Sequence, residues 1–322
     1  MKLSVSSQFL LTVFCAISLQ TYSFAQSKAF SFGVIMHPLK GTLDESSFRN
    51  IITESADETL AFIVTNGIKL PNEPCSDVLY QRRKEILSSA KNSLIVSLAG
   101  SDWSECKNLQ KRSVAVERLN RLRELFFNDD FSLGANKIRL IRQSSSAKFR
   151  NYPENTRWEM NNIMFATINL PASNNHYRNE AGRNSEFEDR LIANRDWLER
   201  IFTFAKRKKM AGIVLFCDGD LLSKPSFAEF FDFAKKRDGF SEVRKHIMTQ
   251  TSKFNGKVLL VHSTNEGEDT TLNASNSNGI TWYNKLGELR LFSGSATVTV
   301  AQSNPALFIL DSDLPETSSV PE

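Results

Sequence analysis

The chain has 322 residues, among them 24 phenylalanines, and carries a formal net charge of +4. Such a length can bury a large core as one big domain or as two ordinary ones. The positive charge is too weak to indicate binding to nucleic acid or to an anionic membrane surface.

Residues 1–25 are typical of a secretory signal peptide. Lys2 lies near the start, an apolar stretch covers residues 9–19, and the small residues Ser23 and Ala25 occupy the specificity positions before the cleavage site. The apolar stretch is shorter than the ~20 residues that a membrane-spanning helix needs. We therefore expect an exported protein, periplasmic or secreted, without stable membrane insertion.

Apolar runs alternate with amphipathic patterns over the first half of the chain, which predicts strands joined by helices. Five predicted strands of the chain end at short polar turns: 30–35, 60–64, 94–98, 213–216 and 258–261. Helices are predicted over 44–58, 76–90 and 114–127. This alternation indicates an α/β fold with parallel strands and right-handed crossovers. In such sheets, ligands collect at the carboxyl ends of the strands.

The rest of the chain is richer in predicted β-structure. A strand over 138–141 is followed by a hairpin whose tight turn is Asn161-Asn162. A long polar loop over 171–184 and a long helix over 187–208 come next. The last predicted strands are short: 280–283, 289–292, 296–300 and 307–310. Since no Pro/Gly linker divides the chain, we expect one domain over 26–311 and a disordered polar tail over 312–322.

Three cysteines follow the predicted signal peptide. Cys75 and Cys106 fall in loops after the second and third predicted strands, which are neighbours in a doubly wound sheet. Because an exported protein meets an oxidising compartment, we predict a disulfide between them. Cys217 lies at the end of an apolar strand and is predicted to be a buried free thiol.

In order and spacing, the polar turns at the strand ends resemble those of the calcineurin-like metallophosphoesterases. That family carries the blocks D-x-H, G-D, G-N-H-[DE], a lone His and G-H-x-H, each just past a strand. The resemblance covers roughly residues 30–310 and implies an α/β/β/α sandwich of two mixed sheets with helices outside. It also implies a site where two metal ions activate a bridging water and hold the phosphoryl oxygens.

Most ligand positions of that site carry other residues in this chain. The residues at the positions of those blocks are His37, Leu39, Gly67, Ser101, Asp102, Asp218, Thr264 and Glu266. Gly67 replaces the Asp that bridges the two metals and has no ligand atom, while Leu39 and Thr264 replace imidazoles. Because metal sites need several His or carboxylate ligands in fixed geometry, we expect the dinuclear site to be absent and no cofactor to be bound.

These replacements favour a non-catalytic module that binds a small phosphorylated ligand or a protein partner. The polar residues that could line its pocket are Asn66, Ser101, Asn174, Asn175, Asp218, His262 and Glu266. A simpler explanation for most of them is that Asp and Asn are common in turns at strand ends. A further alternative is an interaction protein that uses the C-terminal β layer.

The main alternative is an active metal-dependent phosphoesterase whose ligands have been rebuilt around a divalent metal. Asp102 and His37 would then be the catalytic candidates. The potential ligands of such a mononuclear site are the N and O donors His37, Asp218, Asp220, His262 and Glu266.

Overall fold

The computed structural model describes residues 29–37, 45–54, 59–179, 184–222, 237–263, 279–292 and 294–311. The predicted signal peptide and the predicted tail over 312–322 lie outside this part of the chain, as do Leu39, Thr264 and Glu266. Within the part that the structure describes, no helix is both long enough and apolar enough to cross a membrane.

Twelve strands and six α-helices are found in the described chain. The strands are β1 (Phe30–Met36), β2 (Leu60–Asn66), β3 (Leu94–Ser97), β4 (Ile141–Arg142), β5 (Thr156–Met160), β6 (Ile163–Thr167), β7 (Gly212–Phe216), β8 (Lys257–Ser263), β9 (Thr281–Tyr283), β10 (Leu286–Leu291), β11 (Gly294–Val300) and β12 (Phe308–Leu310). The helices are α1 (Glu45–Glu54), α2 (Asp77–Ser88), α3 (Gly100–Trp103), α4 (Ala115–Phe126), α5 (Ser185–Arg207) and α6 (Ser241–Ser252).

The strands form two mixed sheets. One has the order β12-β11-β1-β2-β3, and the other has the order β4-β5-β6-β7-β8-β10-β9. The neighbours β1, β2 and β3 run parallel to one another, as do β6, β7, β8 and β10. The predicted parallel strands are therefore present, and they belong to two mixed sheets, as the family resemblance implied.

Three apolar cores separate the layers of an α/β sandwich. The central core packs the inner faces of the two sheets together and contains stacked and edge-to-face aromatic rings such as Phe32, Phe62 and Phe165. A second core lies between the seven-stranded sheet and helices α5 and α6. A third lies between the five-stranded sheet and helices α1, α2 and α4. Each sheet is consequently buried on both faces, which explains its nearly continuous apolar strands.

Local sequence signals explain several element boundaries. Ser76 is the N-cap of α2, and its hydroxyl accepts a hydrogen bond from the backbone N–H of Leu79. Asn161 and Asn162 form the turn between β5 and β6 with positive φ values of 43° and 65°, which Asn tolerates better than most residues. Where a strand was expected over 138–141, the structure has the two-residue β4 and, before it, an isolated antiparallel bridge between Arg139 and Phe131.

The predicted disulfide is confirmed. Cys75 and Cys106 are bonded, with their Cα atoms 5.9 Å apart, and they join the loop before α2 to the segment after α3. Cys217 is a buried free thiol, also as predicted. Burial and the neighbouring carboxylates of Asp218 and Asp220 raise the pKa of Cys217 well above its usual value, so this thiol is poorly suited to act as a nucleophile.

Candidate functional site at the strand ends

Asp218 contacts segments from both sheets at their strand ends. Its Oδ2 accepts hydrogen bonds from the backbone N–H groups of Gly100 (2.7 Å) and Ala172 (2.8 Å). Its Oδ1 lies 3.1 Å from Nε2 of His37 and accepts a bond from the hydroxyl of Ser263 (3.3 Å). We call these five residues the strand-end cluster. The contacts use both carboxylate oxygens of Asp218 to join β1, α3, β8 and the loop after β6.

The side chain of Asp218 is fully buried, and its charge is stabilised by these contacts. Burial alone would raise the pKa of Asp218, but His37 and the N–H groups of Gly100 and Ala172 outweigh burial and hold the pKa below its usual value. Asp218 is therefore a charged group at neutral pH. Its negative charge is opposed by His37 when that imidazole is protonated.

Gly67 leaves room for His37 beside Asp218. Gly67 has a positive φ of 83°, and a Cβ added there would lie 3.3 Å from Nδ1 of His37 and 3.3 Å from the Cβ of Ala99. Such a close approach and such a backbone angle both favour glycine. A carboxylate at position 67 would therefore require the imidazole of His37 to move.

Asp102 supports the backbone of the neighbouring turns. One oxygen accepts the N–H groups of Ile68 (2.9 Å) and Lys69 (3.3 Å), and the other accepts the N–H of Ala99 (2.8 Å). Asp102 is 0% exposed, and burial raises its pKa to about 6 although these hydrogen bonds oppose the increase. Both carboxylate oxygens of Asp102 are therefore occupied by backbone N–H groups.

Three further polar residues near the strand ends also donate hydrogen bonds to other groups of the protein. Asn66 donates to the hydroxyl of Ser97 (3.3 Å), and Ser101 donates to the carbonyl of Lys69 (3.3 Å). Lys69 was not singled out from the sequence. It is buried, and its Nζ donates to the carbonyl of Leu70 at 2.6 Å. Burial lowers the pKa of Lys69, while Asp102 acts in the opposite direction.

A second polar group, which we call the outer-face triad, consists of Asp220, His262 and Glu288. One potential ligand atom from each lies within 4.8 Å of the others, and all three residues are buried. Nε2 of His262 lies 2.9 Å from Oε1 of Glu288, and its Nδ1 lies 4.0 Å from Oδ1 of Asp220. The five ligand candidates from the sequence are thus divided: His37 and Asp218 lie in one cluster, Asp220 and His262 in another, and Glu266 is outside the described residues.

The two asparagines of the long polar loop make structural contacts. The Asn174 side chain bonds to the backbone of Arg237 and Gly239, and the buried Asn175 bonds to Gly239 and to the guanidinium of Arg190. Arg190, which sequence reasoning missed, is itself fully buried. These bonds attach the loop to α5 and to the segment before α6.

A buried charged network lies at the start of α5. Glu186 pairs with Arg190 at 2.7 Å and with Nδ1 of His176 at 2.8 Å. Burial alone would raise the pKa of Glu186, but Arg190 and His176 lower it to about 2. Periodic spacing on α5 could have indicated the i, i+4 pair Glu186 and Arg190, but not the approach of His176.

Two adjoining clefts lie beside this network, between α4 and the first turn of α5. Their volumes are about 460 Å³ and 670 Å³. Both are lined by Val116, Ser185 and Glu186; the first also by His176, and the second also by Arg150. The remaining polar side chains along the two clefts are Ser113, Glu117, Asn120, Arg123, Glu124, Asn151, Tyr152, Arg178, Asn184 and Asp189.

No protein-family model matches this chain, and no curated protein sequence matches it either. A function for the site therefore depends on its own geometry and on the sequence resemblance described above.

Proposed function

We propose that this chain is an exported binding module on a calcineurin-like phosphoesterase scaffold that lacks the dinuclear catalytic centre. The two mixed sheets with helices outside are compatible with that scaffold, and the disulfide is compatible with export. Neither observation distinguishes a binding module from an enzyme, so the proposal depends on the strand ends.

The contacts of Asp218 are the observation that carries the proposal. At the edge where the resemblance places two metal ions, this carboxylate already bonds to two backbone N–H groups, a hydroxyl and His37. A metal that recruited Asp218 would have to replace these buried bonds, and the unpaired N–H groups would each cost about 1–3 kcal/mol. Gly67 supplies no ligand atom, and its surroundings leave little room for one.

We assign ligand binding to the two clefts beside α5. They are large enough for a small ligand, and their lining mixes hydroxyls, amides and charges of both signs. Acidic side chains are about as frequent there as basic ones, which favours a neutral, hydroxyl-rich ligand such as a sugar over the phosphorylated ligand expected from the sequence. The strand-end cluster would then hold the scaffold together rather than contact the ligand.

The first experiment measures metal-dependent turnover. Mature protein, purified without chelator and incubated with Mn²⁺, Fe²⁺ or Zn²⁺, is assayed with p-nitrophenyl phosphate and bis-p-nitrophenyl phosphate. We expect no turnover above that of the Asp102→Ala variant. Metal-dependent turnover that is abolished by Asp102→Ala would instead support the alternative, a metal-dependent phosphoesterase with rebuilt ligands.

The second experiment tests the clefts directly. Thermal shift and ligand-observed NMR are recorded with glucose, glycerol phosphate and inorganic phosphate as probes. We expect binding of the neutral probe to weaken in Asn151→Ala, whose side chain is exposed in the larger cleft, and to persist in Asn136→Ala, which is exposed outside both clefts. If the phosphate probes bind more tightly than glucose, the result would instead support a phosphorylated ligand in these clefts.

A further inference from the structure

His176 lines the smaller cleft with one ring nitrogen bonded and the other available. Its Nδ1 lies 2.8 Å from Oε2 of Glu186. Within the described part of the chain, no group hydrogen-bonds to Nε2 of His176, and this atom is not shut off from solvent. Because the side chain borders a cleft of about 460 Å³, Nε2 is the polar atom that it offers to a ligand there.

The contact with Glu186 decides which ring nitrogen of His176 carries a hydrogen. Burial opposes ionisation of Glu186, but Arg190 and His176 outweigh burial and lower its pKa to about 2. An ionised carboxylate can only accept hydrogen bonds, so Nδ1 of His176 is the donor. In a neutral ring, Nε2 then presents a lone pair and accepts hydrogen bonds.

Arg190 neutralises Glu186 without help from the imidazole. Its guanidinium meets both carboxylate oxygens, with Nε 2.7 Å from Oε1 and Nη2 3.2 Å from Oε2. Arg190 is 0% exposed, and an arginine stays protonated in proteins. A protonated His176 would add a second positive charge to one negative charge, and burying an unpaired charge is costly. The charges of this network therefore favour the neutral imidazole.

The loop that carries His176 is held in a strained conformation. Asn174, Asn175 and His176 have positive φ values of 47°, 54° and 56°, and each such residue costs on the order of 1–3 kcal/mol. Arg190 donates to the backbone carbonyl of Asn175 at 2.8 Å, and the Asn175 side chain donates to the carbonyl of Gly239 at 2.9 Å. The guanidinium thus positions both the carboxylate and the loop that bears the imidazole.

Trp103 completes the support of the imidazole. The two rings meet edge to face with their centroids 4.9 Å apart, and only 12% of the His176 side chain is exposed. A ring held by Glu186 and by Trp103 has little freedom to lose when a ligand binds, and this lowers the cost of binding. A structural ion pair would need only the Nδ1 contact, whereas this arrangement also leaves Nε2 free at a cleft.

We propose that Nε2 of His176 accepts a hydrogen bond from a hydroxyl group of a neutral sugar, and that this contact selects the ligand of the smaller cleft. The proposal rests on the proposed function, because it takes the clefts as the binding site and names the group that recognises the ligand. A hydroxyl has a hydrogen to donate. A fully ionised phosphate group has none, and its oxygens would face the lone pair of Nε2.

The test combines changes in the sugar with changes in the protein. Ligand-observed NMR measures the affinity of the full mature protein for glucose and for glucoses that carry fluorine in place of one hydroxyl. Fluorine occupies the position of the hydroxyl but cannot donate a hydrogen bond. We expect one fluorinated sugar to bind the wild type about two- to tenfold more weakly than glucose, which is the range for one lost hydrogen bond.

His176→Asn removes Nε2 and keeps the support of the loop. Its amide N–H can donate to Glu186 as Nδ1 does, and asparagine tolerates a positive φ. Glucose should bind this variant about two- to tenfold more weakly, and the same fluorinated sugar should lose nothing further. His246→Asn is the matched control, because His246 lies 3.7 Å from Glu199 but lines neither cleft; its affinity for glucose should be unchanged.

Long-range ¹H–¹⁵N spectra of the imidazole give a readout in the wild type. The signals of His176, assigned by their loss in His176→Asn, should show a hydrogen on Nδ1 and none on Nε2, and glucose should shift the Nε2 signal. A hydrogen on Nε2, or a fluorinated sugar that loses as much affinity for His176→Asn as for the wild type, would overturn this proposal. Glucose binding that Asn151→Ala still weakens would leave the proposed function standing, whereas no binding of glucose to the wild type would refute both.

Discussion

Replacing Asp218 should destabilise the protein more than replacing any exposed aspartate. In Asp218→Ala, the N–H groups of Gly100 and Ala172 lose their acceptor inside the protein. Each buried N–H left unpaired costs about 1–3 kcal/mol, and the contact with His37 is lost as well. We therefore expect the free energy of unfolding to fall by about 3–5 kcal/mol.

Asp218→Asn removes the charge of this side chain but keeps its shape. The amide oxygen can still accept both N–H groups, but the hydrogen bonds become neutral, which makes each roughly half as strong. We expect a loss of about 1–2 kcal/mol. In this background, His37→Ala should cost less than it does in the wild type, because the imidazole no longer faces a carboxylate.

Urea unfolding, followed by tryptophan fluorescence with the disulfide intact, measures these differences. The comparison is valid only if the variants share the same m value, which is the dependence of the unfolding free energy on urea concentration. Asp130→Ala, at an exposed position, is the control and should change the free energy by less than about 0.5 kcal/mol. A cost below about 1 kcal/mol for Asp218→Ala, or equal costs for Ala and Asn, would refute the assigned role of this carboxylate.

Three other predictions concern the same fold. Reducing the bond between Cys75 and Cys106, which are 31 residues apart, should lower the free energy of unfolding by about 3–4 kcal/mol in urea melts with and without reductant. Burial raises the pKa of Asp102 to about 6, so the folded protein holds the carboxyl proton more tightly than the unfolded chain does. The free energy of unfolding should therefore fall by about 3 kcal/mol as the pH rises from about 4 to about 6. Urea melts of Asp102→Asn should lack this decrease. The pH dependence of stability that Glu186 contributes has the opposite sign. Its pKa of about 2 means that about 3 kcal/mol of stability is present above pH ~4.5 and is lost as the pH falls toward 2, and acid titrations of Glu186→Gln should show a flatter curve.

The sequence carried enough information to predict that His37 and Asp218 come together. Both follow buried parallel strands, and strand ends of this kind meet at one edge. The family resemblance implied two mixed sheets, as observed, but buried apolar runs alone do not reveal which strands pair within each sheet. For this reason Glu288 was not predicted to lie beside His262; the pairing of β10 with β8 brings the two residues together.

Strand periodicity explains why His262 does not lie in one site with His37 and Asp218. The residues His262 and Ser263 are adjacent, so their side chains must point to opposite faces of β8. Only one of them could reach Asp218, and Ser263 does so. The sequence prediction grouped polar residues by their position near strand ends, and it therefore combined residues from two sites that lie on opposite faces of the strand.

The turn after β3 shows most directly how the strand-end polar groups are used. Helix α3 has four residues, too few to be stable alone. It is held by the bond from Gly100 to Asp218, by the acceptor bonds of the Asp102 side chain, and by the hydroxyl of Tyr80, which donates to the carbonyl of Asp102 at 2.7 Å. Cys106 fixes the segment that follows. To reach a substrate, the Asp102 carboxyl would have to leave the hydrogen bonds that position α3. A catalytic role for Asp102 would therefore require the turn to rearrange, whereas a supporting role uses the turn as it stands.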